Sequence, residues 1–143
     1  MTIEVRAAVE RDYPAIARIQ ESSPQAAQWP LGDYSAFQVL LALADGMPAG
    51  FCAWRQTAPD EAELLNLAVA PTVRRSGVAS ALLEALSRAA TGDIYLEVAE
   101  DNTAALALYK KLGWAEIALR RGYYSHGRMN AVVMKKGSWY SPG

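Results

Sequence analysis

The chain is predicted to fold as an α/β protein, a sheet of mostly antiparallel strands with helices on its faces. Three observations carry that prediction. Residues 40–69 hold three apolar runs, the first two separated by Asp45-Gly46-Met47-Pro48, a strong hairpin signal. Residues 76–89 and 103–112 switch to helical spacing. The short apolar run Ile94–Val98 stands between them as a strand. The element order reads βα(α)βββαβαββ.

Taken in order, Ile3-Glu4-Val5-Arg6 alternates as a strand does, and Asp12 is placed to cap a helix from Tyr13 to about Glu21, with Ile16 and Ile19 on one face. Pro24 and Pro30 around Trp29 make residues 22–33 loop or broken helix, with a second short helix near Tyr34–Phe37. Leu40–Ala44, Ala49–Arg55 and Glu61–Val69 form a meander that Pro71 ends, because proline cannot donate to a ladder. From Ser76 to Ala89, Val78, Leu82, Ala85, Leu86 and Ala89 share a face, and Gly92 is the expected stop. A helix from about Thr103 to Leu112 ends at Gly113. Trp114–Leu119 and Met129–Met134 are the expected closing antiparallel pair, joined by the tyrosine-bearing stretch Arg121–Arg128. Residues 1–136 are expected to form a single domain and residues 137–143 a flexible tail.

Composition narrows the function. A chain of 143 residues suits one hydrophobic core. Its formal net charge of −1 argues against broad capture of nucleic acid or an anionic membrane, both of which need a basic excess. No apolar run approaches the roughly 20 residues of a membrane span, and Met1–Arg6 lacks the apolar stretch of a signal peptide. A cytoplasmic location is expected, with no direct nucleic-acid or membrane partner. One cysteine and one histidine make no recognisable metal set. Cys52, inside Gly50-Phe51-Cys52-Ala53-Trp54, reads as a small buried strand residue rather than a nucleophile.

The most informative stretch runs strand, tight basic loop, helix, from Leu65 to Leu83. The first turn of a helix has backbone N–H groups without intrahelical partners and about half a positive charge. Gly77 with the small Ala79 and Ser80 lets a pyrophosphate approach that backbone, and Arg74 and Arg75 add charge. An ordinary strand-to-helix turn with a solvated arginine pair would look the same.

This run, Val69-Ala70-Pro71-Thr72-Val73-Arg74-Arg75-Ser76-Gly77-Val78-Ala79-Ser80-Ala81-Leu82-Leu83, resembles the acetyl-CoA pyrophosphate motif of GNAT acetyltransferases, Q/R-x-x-G-x-G/A. Arg74, Gly77 and Ala79 stand at its three defining positions. Ala79 replaces the commoner glycine, and Ser80 stands where a basic residue often sits. A second stretch, Leu96-Glu97-Val98 followed by Asn102, Ala105, Leu108-Tyr109 and Leu112-Gly113-Trp114, resembles the ribosomal-protein-alanine N-acetyltransferases (RimI type). Arg120-Arg121-Gly122-Tyr123-Tyr124 matches their R-R-x-Y-Y. The resemblance spans about Ile3–Lys135 and is specific from Asn66 onward. Residues 22–37, where GNAT enzymes build much of the acceptor site, match poorly.

The resemblance implies a GNAT fold and acetyl-CoA as cosubstrate. It also implies backbone contacts from Leu67, Ala68 and Val69 to the pantetheine arm, and a diphosphate site over Arg74, Arg75, Ser76, Gly77, Val78, Ala79 and Ser80. The residues admit bland readings as well. Glu97 shares a strand face with Tyr95, opposite Ile94, Leu96 and Val98. A carboxylate there is either salt-bridged or a base for an amine that must lose a proton. Tyr109 follows Ala105 and precedes Leu112 at i, i+4, i+7 spacing, which suits a core aromatic; a phenol near pKa 10 can also protonate a leaving thiolate near 8.5. Asn102 can be the N-cap of its helix. By resemblance Glu97 is the general base, Tyr109 the general acid beside the CoA sulfur, and Asn102 a cofactor contact.

For the acceptor, a free α-amine (pKa about 8) is roughly a tenth neutral at pH 7, whereas a lysine amine (about 10.4) is neutral in well under a thousandth of molecules. A modest base therefore suits a protein N-terminus, and the resemblance implies a ribosomal protein beginning with alanine. Tyr34, Tyr123 and Tyr124, with Asp60, Glu61 and Glu63, are candidates for an acceptor wall, or are ordinary surface and strand-end residues. A small amine or lysine acceptor, and a CoA-binding module without catalysis, are the competing functions.

Overall fold

The computed structural model describes residues 1–24, 26–124 and 129–136. Among these residues the strands are β1 (Ile3–Ala7), β2 (Gln38–Ala44), β3 (Met47–Ala58), β4 (Glu61–Val69), β5 (Asp93–Ala99), β6 (Ala115–Tyr124) and β7 (Met129–Lys136). The helices are α1 (Tyr13–Glu21), α2 (Val78–Ala89) and α3 (Thr103–Lys111). The sheet has the order β1-β2-β3-β4-β5-β7-β6. β4 and β5 pair in parallel; β1/β2, β2/β3, β5/β7 and β6/β7 pair antiparallel. This is the expected α/β class, a mixed and mostly antiparallel sheet flanked by helices. The chain gathers into two compact units, Met1–Arg55 with Leu64–Ala90, and Gln56–Glu63 with the chain from Thr91 on.

In the first unit, Ile16 and Ile19 of α1 pack with Tyr34, Val39, Leu41, Phe51, Ala53 and Ala68. Asp45 (φ 49°) and Gly46 (φ 82°) form the expected hairpin turn, both left-handed as the twist of the strands requires. The weak helix near Tyr34 is a 3-10 turn, Leu31–Ala36. Asp12 does not cap α1 with its side chain. Its carboxylate instead takes Arg6 Nη1 (2.7 Å), Arg6 Nη2 (3.0 Å) and the Val9 amide (2.8 Å). The hydrogen bond from Arg6 holds the Asp12 carboxyl at about 2.

Helix α2 begins at Val78, two residues later than expected, because Arg75 (φ 65°) and Gly77 (φ 92°) are left-handed and cannot join a right-handed helix. Its buried face is Val78, Leu82, Leu83 and Leu86, so Leu83 takes the place expected for Ala85 and Ala89. Ala90, in extended conformation, ends the helix, and Gly92 is not its stop.

In the second unit, Gly92 answers to packing. Its φ is +82°, and a Cβ there would lie 1.8 Å from the Asp60 carbonyl oxygen. The first three residues of β4 pair with β5: Glu61 with Asp93, Ala62 with Ile94, Glu63 with Tyr95. Ile94, Leu96 and Val98 are buried, and Tyr95 and Glu97 occupy the opposite face, as the alternation predicts. After α3, the Gly113 amide bonds the Lys110 carbonyl (3.1 Å) and the Trp114 amide bonds that of Tyr109 (2.9 Å), the paired bonds of a Schellman ending. β6 runs on to Tyr124, beyond the expected Leu119, with its register shifted between Arg120 and Tyr124 and Gly122 left-handed (φ 64°). Residues 125–128 of the expected connection and the expected tail 137–143 lie outside the described residues.

Candidate active site

The first group of candidate residues lies in the first unit. No side chain caps α2, and its first intrahelical bond runs from the Ala81 amide to the Gly77 carbonyl (3.0 Å). The amides of Val78, Ala79 and Ser80 therefore precede any helical partner. Left-handed Gly77 followed by helical Val78 turns successive N–H groups the same way, the geometry of an anion-binding nest. A Cβ at Gly77 would meet nothing nearer than Ile3 Cδ1 at 3.9 Å, so the backbone there is open to approach. Arg75 is exposed and left-handed, a conformation that costs a non-glycine residue about 1 kcal/mol or more. Ser76 donates its hydroxyl to the Val73 carbonyl and so fixes the loop from within. These residues fit a diphosphate.

Arg74 behaves differently from Arg75. Its Nε donates to the Val69 carbonyl (3.3 Å), and its Nη2 donates to the Ser22 carbonyl (3.1 Å) and Ser23 Oγ (3.3 Å). On β4, Ala68 is buried while Leu67 and Val69 are half-buried. The Leu67 amide donates to Asn66 Oδ1 (3.0 Å).

The second group lies in the second unit. Glu97 is 25% exposed and accepts from Arg120 Nη1, itself 52% exposed. Of the two readings of this carboxylate, the salt bridge is present. Three residues after β5, Asn102 caps α3: its Oδ1 accepts from the Ala105 amide (3.2 Å). Tyr109, buried near the end of that helix, sets its ring edge-on to Trp114 at 5.7 Å. One strand and the helix after it thus carry the carboxylate, the capping amide and the phenol in a single unit. Beside them, the Gly122 amide donates to Asn130 Oδ1 (2.9 Å), and Asn130 Nδ2 donates to Glu100 Oε1 (3.1 Å).

Of the three tyrosines expected at an acceptor wall, one side chain, Tyr34, is described. Tyr34 is fully buried, against Tyr13, Trp29 and Phe51, and its hydroxyl donates to Gln20 Oε1. Burial pushes its phenol up to about 12. Tyr34 is a core residue, and its ring and hydroxyl are engaged by the described residues around it. The side chains of Tyr123 and Tyr124 lie outside the described residues. Glu61 accepts from Thr57 Oγ1 (3.0 Å), a local strand-end contact. Sequence reasoning missed Asn66, although a polar residue in the inward series Ala62, Leu64, Asn66, Ala68 is a visible signal. It also missed that Arg120 is the partner of Glu97, a pairing no local pattern encodes.

The sequence pattern of the Acetyltransferase (GNAT) family matches residues 3–114. The chain belongs to the GNAT acetyltransferase family. It is 42% identical over 96 residues to the ribosomal protein bS18-alanine N-acetyltransferase of Escherichia coli (strain K12), covering 63% of this chain and 64% of that protein. It is 40% identical over 91 residues to the N-alpha-acetyltransferase RimI of Mycobacterium tuberculosis (strain ATCC 25618 / H37Rv), covering 63% of this chain and 58% of that one. The match thus spans less than two thirds of the length of these curated relatives, 64% and 58%. Among solved structures, the Escherichia coli ribosomal-protein-S18-alanine N-acetyltransferase superposes with a TM-score of 0.82 at 29% identity, over 98% of this chain and 96% of that one. Ard1 from Thermoplasma volcanium gives a TM-score of 0.84 at 26% identity, over 96% and 98%.

Proposed function

We propose that the protein is an acetyltransferase that moves the acetyl group of acetyl-CoA to the N-terminal α-amine of a protein, with a ribosomal protein as the leading acceptor. The observation that carries this reading is the order Glu97, Asn102, Tyr109 along β5 and α3, which follows a helix start whose amides have no side-chain cap. The names of the relatives from Escherichia coli and Mycobacterium tuberculosis support the same acceptor class. A ribosomal acceptor agrees with a cytoplasmic location. Among the described residues, no helix is long and apolar enough to cross a membrane.

When bound, acetyl-CoA supplies an acyl group on a thioester. The Val78, Ala79 and Ser80 amides and Arg75 would hold its diphosphate, and β4 residues 67–69 would meet the pantetheine arm; Asn102 keeps its place as a further cofactor contact on the family resemblance alone. Glu97 accepts the proton of the incoming ammonium, directly or through one water, and its bond to Arg120 orients the partly exposed carboxylate. Tyr109 holds a proton at its phenol oxygen for the departing sulfur. A neutral pool of about a tenth of α-amines at pH 7 lets a carboxylate suffice as base.

The test is direct. Purified protein, acetyl-CoA and peptides beginning with alanine are mixed, and thiol release is followed. Turnover with N-terminal peptides is expected, and turnover only with polyamines or lysine side chains would redirect the acceptor. CoA binding without turnover on any amine would replace the enzyme with a binding module.

A further inference from the structure

We infer that Arg74 is a positioning residue that fastens the segment Ser22–Trp29, and that its guanidinium does not serve the cofactor diphosphate; the inference rests on the acetyltransferase reading, in which this segment lies on the acceptor side. Among its described residues, the segment between α1 and the 3-10 turn lies in no ladder or helix; a few turn bonds, such as Ala26 amide to Ser23 carbonyl (2.9 Å), satisfy part of its backbone, and side chains take up more of it.

Several of those side chains come from β4 and the loop after it. Arg74 bonds the Ser22 carbonyl (3.1 Å), Ser23 Oγ (3.3 Å) and the Val69 carbonyl (3.3 Å), so one guanidinium fork spans both pieces of chain. Ser23 is buried, and its hydroxyl also faces the Val69 carbonyl at 3.5 Å. Farther along, Asn66 exchanges two bonds with one residue, as a neighbouring strand would: the Ala27 amide donates to its Oδ1 (3.1 Å), and its Nδ2 donates to the Ala27 carbonyl (2.9 Å). Gln20 Nε2 closes the far end on the Trp29 carbonyl (2.9 Å).

The bonds of Arg74 run toward Ser22, Ser23 and Val69. Both arginines are exposed, so the difference lies in the bonds: those of Arg74 go to its own chain, and Arg75 on the left-handed residue beside it is the side chain assigned to the diphosphate. The two arginines therefore divide their work: Arg75 meets the cofactor and Arg74 holds the chain at Ser22 and Ser23 against the end of β4. A lysine at position 74 would keep the charge and lose the fork.

Arg74→Ala, Arg74→Lys and Arg75→Ala are compared with wild type in full-length protein. Both Arg74 variants should raise the acceptor KM about fivefold to tenfold, leave kcat within about twofold, and leave the CoA dissociation constant within about twofold. Hydrogen exchange at the Ala26 and Ala27 amides should quicken in both, while the α2 amides keep their protection. Arg75→Ala should weaken CoA instead. Equal CoA weakening by Arg74→Ala and Arg75→Ala, with exchange at Ala26 and Ala27 unmoved, would overturn the assignment, as would full rescue by Arg74→Lys. The exchange readout needs neither cofactor nor turnover. A wild-type protein that fails to bind CoA would sink the functional reading and still leave the Arg74 contacts testable.

Discussion

Arg120 reaches Glu97 across an intervening strand: its Nη1 lies 2.5 Å from Glu97 Oε1, although β7 stands between β6 and β5. The register explains the reach. Ala99 and Arg120 both pair with Ala131, and Glu97 and Ala118 both pair with Val133, so these rows share one face. With alanine at 99 and 131, the guanidinium can pass over β7 and meet the carboxylate diagonally.

From this pairing follows a non-additive pair of variants. Glu97→Gln should lower kcat by on the order of 10²–10³-fold while CoA affinity holds. Arg120→Ala should cost about tenfold or less, because it only frees the carboxylate from its anchor. In the double variant, Arg120→Ala should add almost nothing, since its effect runs through Glu97. Multiplying penalties would show that Arg120 acts on its own.

Tyr109→Phe keeps the ring that meets Trp114 at 5.7 Å and removes only the hydroxyl. The expected result is a kcat lower by on the order of 10²-fold, with CoA binding by calorimetry changed less than about threefold. Undiminished turnover would strip Tyr109 of the acid role and leave it a core aromatic.

Gly92→Ala should destabilise the protein by about 2–3 kcal/mol, through overpacking and a left-handed φ of +82°. The urea midpoint is the measurement, taken at an unchanged slope. A midpoint equal to wild type would mean that the Asp60 carbonyl, 1.8 Å from the new Cβ, yields without cost.

Asp12 gives a pH signature. Arg6 holds its folded-state carboxyl at about 2, below the unfolded value of about 3.9. The unfolded state therefore takes up the proton first as pH falls, and stability falls with pH. The contribution is full above about pH 4 and is lost as pH drops through about 2. Asp12→Asn should lower stability at neutral pH and flatten its decline across that window, measured by denaturant unfolding at stepped pH. A decline as steep as that of wild type would assign the acid sensitivity elsewhere.

The sequence made local order legible. Glu61–Val69 was readable to the residue because an alternating run ends at a proline, and the α3 ending because Gly113 follows the periodic residues. What escaped was decided at long range. Asp12 looked like a cap until Arg6 claimed its carboxylate, and the bonds of Arg74 to Ser22 and Ser23 leave no trace in the local sequence. Tyr34 looked exposed in a proline-rich stretch, but Gln20 supplies an acceptor that lets its hydroxyl be buried. The start of α2 shifted because a left-handed non-glycine residue, Arg75, leaves no mark in composition.

Cys52 is sealed inside β3 at 0% exposure, and burial pushes its thiol up to about 12. A catalyst that released coenzyme A would work amid thiols and thioesters, which exchange readily with any accessible thiolate. With its single sulfhydryl locked away and protonated, the folded chain offers no thiol for a mixed disulfide or for thioester exchange. Free coenzyme A would then meet no reactive cysteine on this chain.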